Sequence, residues 1–129
     1  MAFSDYLEDK VLEHVFGGNA FTAPSTLHVA LFTVAPSDTG GGTEVSGGAY
    51  ARQTATFNVS GTNPTEASNV ASVEYPTATA SYGTVLAVGV FDASSGGNLL
   101  AYSTLTTNKT IDTGDVFRIN AGDLDIRLA

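Results

Sequence analysis

The triplet Asp-Thr-Gly occurs twice in this 129-residue chain, at residues 38–40 and 112–114. Aspartic proteases use two such triplets because their two carboxylates share one proton at close range. In those enzymes each triplet follows an apolar strand and is braced by a second apolar segment. Here Asp38 lies in a glycine-rich stretch and Asp112 lies between two short strand patterns. Because Asp and Gly are also the residues that tight turns require, both triplets are predicted to form turns.

The other candidates for catalysis or metal binding are two histidines and several acids near the C-terminus. His14 and His28 have no partner at a spacing that predicts a catalytic triad or a metal site, so structural roles are expected. Four acids could supply oxygen ligands to Ca²⁺ but lack the alternating loop of an EF-hand: Asp112, Asp115, Asp123 and Asp125. The absence of cysteine excludes thiolate catalysis. We therefore expect no enzymatic activity, no cofactor and no metal.

The charge balance restricts the class of partner. The formal net charge is −8 and the chain has only five Lys and Arg residues, so nucleic acid and anionic membrane surfaces are expected to be repelled. The first ten residues carry acids where a secretory signal needs a basic start, and no apolar stretch approaches membrane-spanning length. A soluble protein that binds neither nucleic acid nor membrane is expected.

The first 18 residues are predicted to form one helix. Ser4 or Asp5 can cap it, Asp5 and Glu8 have the spacing of a capping box, and Gly17 and Gly18 end it. Apolar residues recur along one side: Phe3, Leu7, Val11 and Val15, with Leu12 beside them. A helix this short is marginal alone, so this stripe is expected to pack against the body of the protein or against a neighbouring subunit.

The remainder, residues 19–129, is predicted to be the β body of a single domain. Alternating or apolar runs predict strands at 27–33, 50–59, 70–75, 83–91, 99–105, 109–111, 116–120 and 124–128, with Leu124, Ile126 and Leu128 facing inward. The run 83–91 is apolar on both faces and is predicted to be the central strand. Residues 35–49 are predicted to be a long irregular surface loop. We expect a mainly β fold: a seven- to eight-stranded antiparallel sandwich or partly closed barrel with one N-terminal helix.

Tyrosines form a further feature of this β body. Tyr50, Tyr75, Tyr82 and Tyr102 are expected to form either an exposed contact patch or the edge of the core, since tyrosine suits both places.

Several segments in the same order resemble a family of small virion proteins of tailed bacteriophages, described as tail-fibre-like and also similar to head-decoration proteins. They are YLEDKVLEH (6–14), LHVALFT (27–33), YGTV (82–85), GVFDA (89–93), GNLL (97–100) and AGDL (121–124). The most specific segment is EVSGGAYARQ, from Glu44 to Gln53. The resemblance covers nearly the whole chain and implies a structural role in the virion, for a protein made in the host cytoplasm.

Two functions follow as expectations. The first is a capsid decoration or cement protein that bridges neighbouring major capsid subunits as a homo-oligomer. The alternative is a tail-fibre or tail-tip component that binds a host receptor or glycan. The partners are thus the major capsid protein or tail proteins. The candidate contact residues lie in the helix and the long loop: Leu7, Val11, Val15, Glu44, Val45, Tyr50 and Arg52. Arg52 is also expected to pair with Glu44, and the competing interpretation is a core-capping helix with an ordinary solvated loop.

Overall fold

The computed structural model describes residues 1–128, and of Leu128 only the backbone. This part of the chain contains one helix and eleven strands. In order they are β1 (Ala2–Phe3), α1 (Asp5–Val15), β2 (Leu27–Val34), β3 (Thr43–Glu44), β4 (Gln53–Ala55), β5 (Phe57–Ser60), β6 (Thr65–Asn69), β7 (Val73–Glu74), β8 (Gly83–Phe91), β9 (Leu99–Ile111), β10 (Arg118–Ile119) and β11 (Asp125–Leu128). Four of the strands have only two residues, so seven longer strands form the framework.

The largest sheet has six strands and is antiparallel. Its order is β1-β9-β8-β2-β3, and β4 also pairs with β2. The apolar run of β8 therefore lies in the middle, which confirms the predicted central strand. The predicted hairpin between β8 and β9 is also present, with Val90 opposite Ala101. In its turn the Asp92 carboxylate accepts hydrogen bonds from the backbone N and the side-chain amide of Asn98, at 2.7 and 2.9 Å.

Two smaller sheets, β11-β6-β5 and β10-β7, complete the core on one face of the large sheet. The main apolar cluster joins residues of β2, β7, β8 and β10 with side chains of the connecting segments, among them Tyr75, Tyr82 and Phe117. A second, smaller cluster around Phe32 lies on the opposite face. The mainly β antiparallel fold is confirmed. It is consistent with a sandwich, and within residues 1–128 the sheets do not close into a barrel.

Several strand boundaries differ from those expected. The run 50–59 is divided between β4, which pairs with β2, and β5, which pairs with β6. Residues 109–111 belong to the long strand β9, and only Val73 and Glu74 of the run 70–75 form a strand. The sequence of β6, TEASN, has little strand propensity, and pairing with β5 on one side and β11 on the other orders it. Leu124 is buried as predicted, whereas the prediction for Leu128 lies outside the described side chains.

The helix is shorter than residues 1–18. Ser4 is the N-cap, and its Oγ accepts a hydrogen bond from the backbone N of Leu7 at 3.2 Å. The Ser4 backbone N donates to the carbonyl of Leu100 at 2.8 Å and its hydroxyl donates to that of Leu99, so the cap is also the anchor of the helix. Phe3 is extended in β1, opposite Ala101, and does not continue the helical stripe. Since pairing with β9 holds the preceding residues extended, the helix begins only at Asp5.

The predicted loop 35–49 is partly ordered by pairing. β3 lies within it, and Pro36 and Val45 are buried although the whole loop was expected at the surface. A close approach of backbone explains one glycine: Gly42 has φ +75°, and a Cβ there would lie 2.5 Å from the carbonyl oxygen of Val34. In the described part of the chain, no helix has the length and apolar character required to cross a bilayer.

Candidate functional site

The strongest polar constellation is the Arg52 cluster, made of Glu44, Tyr50 and Arg52. Glu44 ends β3, and the other two residues lie just before β4. Arg52 binds the Glu44 carboxylate through two hydrogen bonds, Nη2 to Oε1 at 2.8 Å and Nε to Oε2 at 2.9 Å. This bidentate geometry matches the planar guanidinium to the planar carboxylate and is among the strongest of ion-pair arrangements. The pairing expected from the sequence is confirmed.

Arg52 also joins the loop to the turn between β8 and β9. Its Nη1 donates to the carbonyl oxygens of Ala93 at 2.9 Å and Gly96 at 2.8 Å. The guanidinium carbon lies 3.8 Å from the centroid of the Phe91 ring, which is a cation–π contact. The Arg52 side chain is only 6% exposed. One side chain therefore holds together the loop before β4 and the turn between β8 and β9, whose bonded residues are 41 and 44 positions from Arg52 in sequence.

Tyr50 connects the cluster to the core. Its hydroxyl donates to Glu44 Oε2 at 2.6 Å and accepts from the backbone N of Leu31, in the middle of β2, at 3.0 Å. Its ring is stacked on Tyr75 with centroids 6.0 Å apart, and meets Tyr82 edge-on at 5.8 Å. The hydroxyl thus gives the backbone N of Leu31 an acceptor and gives Glu44 Oε2 a second donor beside Arg52 Nε, which makes the cluster a rigid part of the fold.

A depression of about 360 Å³ lies beside the cluster, between residues 44–52 and the turn residues 94–96. Every charged group that borders it is already bound within the chain. Arg52 and Glu44 are paired with each other, and Tyr50 donates to Glu44. The arrangement therefore serves to hold the loop and the turn in place.

Glu44 makes the stability of the fold depend on pH. Burial by itself would raise the pKa of this carboxyl, but the hydrogen bonds from Arg52 and Tyr50 and the charge of Arg52 outweigh it and hold the pKa below the usual 4.5. A carboxyl whose pKa is lower in the folded chain stabilises the fold above its unfolded pKa, and that contribution is lost as the pH falls through the folded pKa. We expect the free energy of unfolding to decrease below pH 4.5, in part because of Glu44.

Urea unfolding of the wild type and of Glu44→Gln, from neutral pH down to about pH 3, measures this contribution. The variant is expected to lose less free energy over the acid range, so the two curves converge as the pH falls. Glu74→Gln is the matched control, because Glu74 is exposed and its contact with Arg118 is long, at 3.9 Å. Equal pH dependence in the wild type and in Glu44→Gln would contradict the prediction.

The other predicted contact residues occupy two kinds of place. Val45 is buried in the main core, and Leu7 and Val11 are half-buried on the inner side of α1. Val15 is exposed. Contact of these residues, and of Glu44, Tyr50 and Arg52, with another protein stays a prediction. Of the tyrosines offered as a patch, Tyr75 and Tyr82 are buried, so the core alternative is correct for those two.

The sequence predicted Val15 as a contact residue and Leu12 as a member of the apolar stripe, but it did not predict Phe16. Leu12 and Val15 are 58% and 60% exposed, and Phe16, directly after the helix, is 81% exposed. Their spacing of three and four residues places them on one face, and that spacing was the available signal. The stripe was expected to pack against either the body of the protein or a neighbouring subunit, and only the tertiary packing shows that Leu7 and Val11 face inward while Leu12 and Val15 are exposed.

The two Asp-Thr-Gly triplets form turns, as predicted. Asp38 accepts a hydrogen bond from the Tyr102 hydroxyl. The Asp115 carboxylate accepts one from the backbone N of Asp112 at 2.9 Å, which closes the second turn. His14 Nδ1 accepts from the backbone N of Phe21 at 3.0 Å, a structural contact at the end of the helix. Among residues 1–128 no group of three or more potential metal ligands is close enough to hold an ion.

Comparison with known proteins adds one finding. The sequence model of a family described as "Podophage GP4 fiber I protein gp80" matches residues 2–127, which is nearly the whole chain. No curated protein matches the sequence. The family agrees with the tail-fibre-like resemblance of the separate segments. The chain therefore belongs to the podophage GP4 fiber I protein gp80 family, and it is a structural protein of a bacteriophage virion.

Proposed function

We propose that this chain is a packing subunit of a tail fibre, without enzymatic activity of its own. The observation that carries the proposal is the match of residues 2–127 to a fibre protein family. Because the match spans both α1 and the β body, it concerns the whole subunit and not one shared module. The proposal favours the fibre over a cement role on the capsid shell, where the major capsid protein would be the partner.

The Arg52 cluster supports a structural role. Among the residues described, Arg52 is the only arginine with a well-buried side chain. It binds a carboxylate and two backbone carbonyls of its own chain. Such bonding makes the loop before β4 and the turn after β8 a single rigid surface. A subunit that transmits force or holds position within a fibre needs this kind of rigidity.

The partners that we propose are tail proteins and further copies of the chain. Virion appendages are built from repeated subunits, and many weak contacts combine through multivalency. The net charge of −8 makes nucleic acid a poor partner.

Cryo-electron microscopy of the intact virion tests the placement. We expect density that fits the β body and α1 in appendages of the tail. As a control, separated tails and capsid shells are compared by quantitative mass spectrometry, and the chain should be found with the tails. Density on the icosahedral shell, with the chain recovered from the shells, would overturn the fibre proposal in favour of the cement role.

A further inference from the structure

The outer face of α1 has two halves of different chemistry. We define it by its six exposed residues: Asp5, Glu8, Asp9, Leu12, Val15 and Phe16. Their spacing of three and four residues places them along one side of the helix. The first two turns of this side are acidic, and the last turn and the cap are apolar. The inner side, with Leu7 and Val11, faces β1 and β9.

The apolar half lacks cover from its own chain. Leu12, Val15 and Phe16 are 58, 60 and 81% exposed, and the last of these is the most exposed large apolar side chain among residues 1–127, whose side chains are described. The hydrogen bonds of Ser4 fix the N-terminal end of the helix to β9, and the Asp5 backbone N donates to the carbonyl of Asp38 at 2.8 Å. The helix is thus held at its acidic end and presents its apolar end to solvent.

The acidic half extends onto the neighbouring loop. Hydrogen bonding to Asp38 raises the pKa of Tyr102, as do burial and the charges of Asp38, Asp5 and Glu8. Asp38 lies beside the first turn of α1, since its carbonyl accepts from the Asp5 backbone N at 2.8 Å, so its carboxylate adds to the negative charge at this end of the helix. Lys10 is the only Lys or Arg in α1, and it lies beside Glu13 and the Tyr6 ring, at 3.8 and 5.8 Å. Little positive charge is available to neutralise the outer face.

A second copy of the chain fits this face poorly. Parallel pairing of two helices would place acids against acids, and full antiparallel pairing would place acids against Leu12 and Phe16. If only the last turns of the two helices overlapped, neither of these unfavourable contacts would form. The three apolar side chains there, however, offer less than about 500 Å² of surface. A stable interface buries about 800 Å² on each partner, so the further copies proposed as partners would pack through another surface.

We infer that the outer face of α1 binds a segment of a different tail protein, one that presents apolar side chains followed by Lys or Arg. The apolar residues would cover Leu12, Val15 and Phe16, and the basic residues would lie along the acidic turns. Opposite charges would set the direction of the bound segment, because the reversed segment would place its cations on the apolar half. This inference rests on the proposed function for the kind of partner.

The first test uses the isolated full chain labelled with ¹⁵N and two synthetic helical peptides of identical pattern. One has a leucine stripe and lysine elsewhere, and the other has glutamate in place of lysine. We expect the lysine peptide to shift amide signals of residues 5–16 and the glutamate peptide to bind at least about tenfold more weakly. Equal binding of the two peptides, or shifts confined to another surface, would overturn the inference.

Paired variants separate local contact from general charge attraction. Leu12→Ser with Phe16→Ser is expected to weaken lysine-peptide binding by about tenfold or more. Glu8→Gln with Asp9→Asn should weaken it and flatten its dependence on salt. The matched control, Glu74→Gln with Asp123→Asn, removes the same charge at distant exposed positions and should bind like the wild type. Equal loss in the two charge variants would overturn the inference.

Two further measurements complete the test. Sedimentation of the free chain should show that its state of association is the same with and without the Leu12→Ser, Phe16→Ser changes, and a dimer that is lost in this variant would assign the face to a second copy instead. In virions, this variant should be incorporated at least about tenfold less than the wild type, with an unchanged melting temperature. Normal incorporation into tail fibres would overturn the inference and leave the proposed function intact. Wild-type chain found only on shells would overturn the proposed function and the tail origin of the partner, while preferential binding of the lysine peptide would still assign the face to an apolar and basic segment.

Discussion

Replacing Arg52 with alanine is expected to lower the free energy of unfolding by about 3 kcal/mol. The change leaves Glu44 without its cation, and it removes the donor to the carbonyls of Ala93 and Gly96 and the cation–π contact with Phe91. Loss of one partner of a buried ion pair costs about 3–5 kcal/mol. We expect the lower end because the Glu44 side chain is 26% exposed, so water solvates part of the carboxylate.

Urea denaturation of the wild type and the variant measures this loss. Arg52→Lys is the control that keeps the charge, and it should recover only part of the stability because an ammonium group cannot form the bidentate pair. A double-mutant cycle with Glu44→Gln isolates the coupling between the two side chains. A loss below about 1 kcal/mol for Arg52→Ala would show that the pair behaves like a surface salt bridge.

The second large effect is expected from Tyr75→Ala, which should destabilise the fold by about 4 kcal/mol. Tyr75 is only 1% exposed, and its ring contacts Tyr50 and Phe117, with centroids 6.0 and 5.9 Å away. Removing the ring leaves a cavity in the centre of the main core, and the surrounding strands can close it only in part. The free energy of unfolding from urea denaturation gives the size of the effect.

Tyr75→Phe is the matched control, because it keeps the ring and removes only the hydroxyl. That hydroxyl donates to the carbonyl oxygen of Val29 at 2.7 Å, inside the core. We expect a cost of about 1–2 kcal/mol, since a buried carbonyl is left without this donor. If Tyr75→Phe costs as much as Tyr75→Ala, the hydrogen bond and not the packing of the ring would be the main contribution of Tyr75.

Local patterns in the sequence determined a large part of the fold. The alternation in 27–33 and the apolar run 83–91 correspond to β2 and β8, and the Gly-rich turn before Leu99 gives the hairpin to β9. Ser4 caps the helix. These features were predictable because period, turn chemistry and capping depend on residues that are neighbours in the chain. The pairing of Glu44 and Arg52 was likewise available, since the two residues are eight positions apart in one loop.

Only the tertiary structure decided the rest. β6 is ordered by two partners, and its composition carries no strand signal. The run 50–59 is divided because its first half pairs with β2 and its second half pairs with β6. The carbonyls that bind Arg52 belong to residues 41 and 44 positions further along the chain. Sequence patterns relate residues that are close in the chain, so they do not predict this contact.

Which side of α1 is buried also depends on residues that are distant in the chain. The sequence predicted an amphipathic helix within residues 1–18, but not which of its apolar residues would be covered. Anchoring of Ser4 to β9 turns Leu7 and Val11 inward and leaves Leu12, Val15 and Phe16 outside. The rotation of a helix about its own axis is set by the surface against which it packs, and the residues of that surface are distant in the chain.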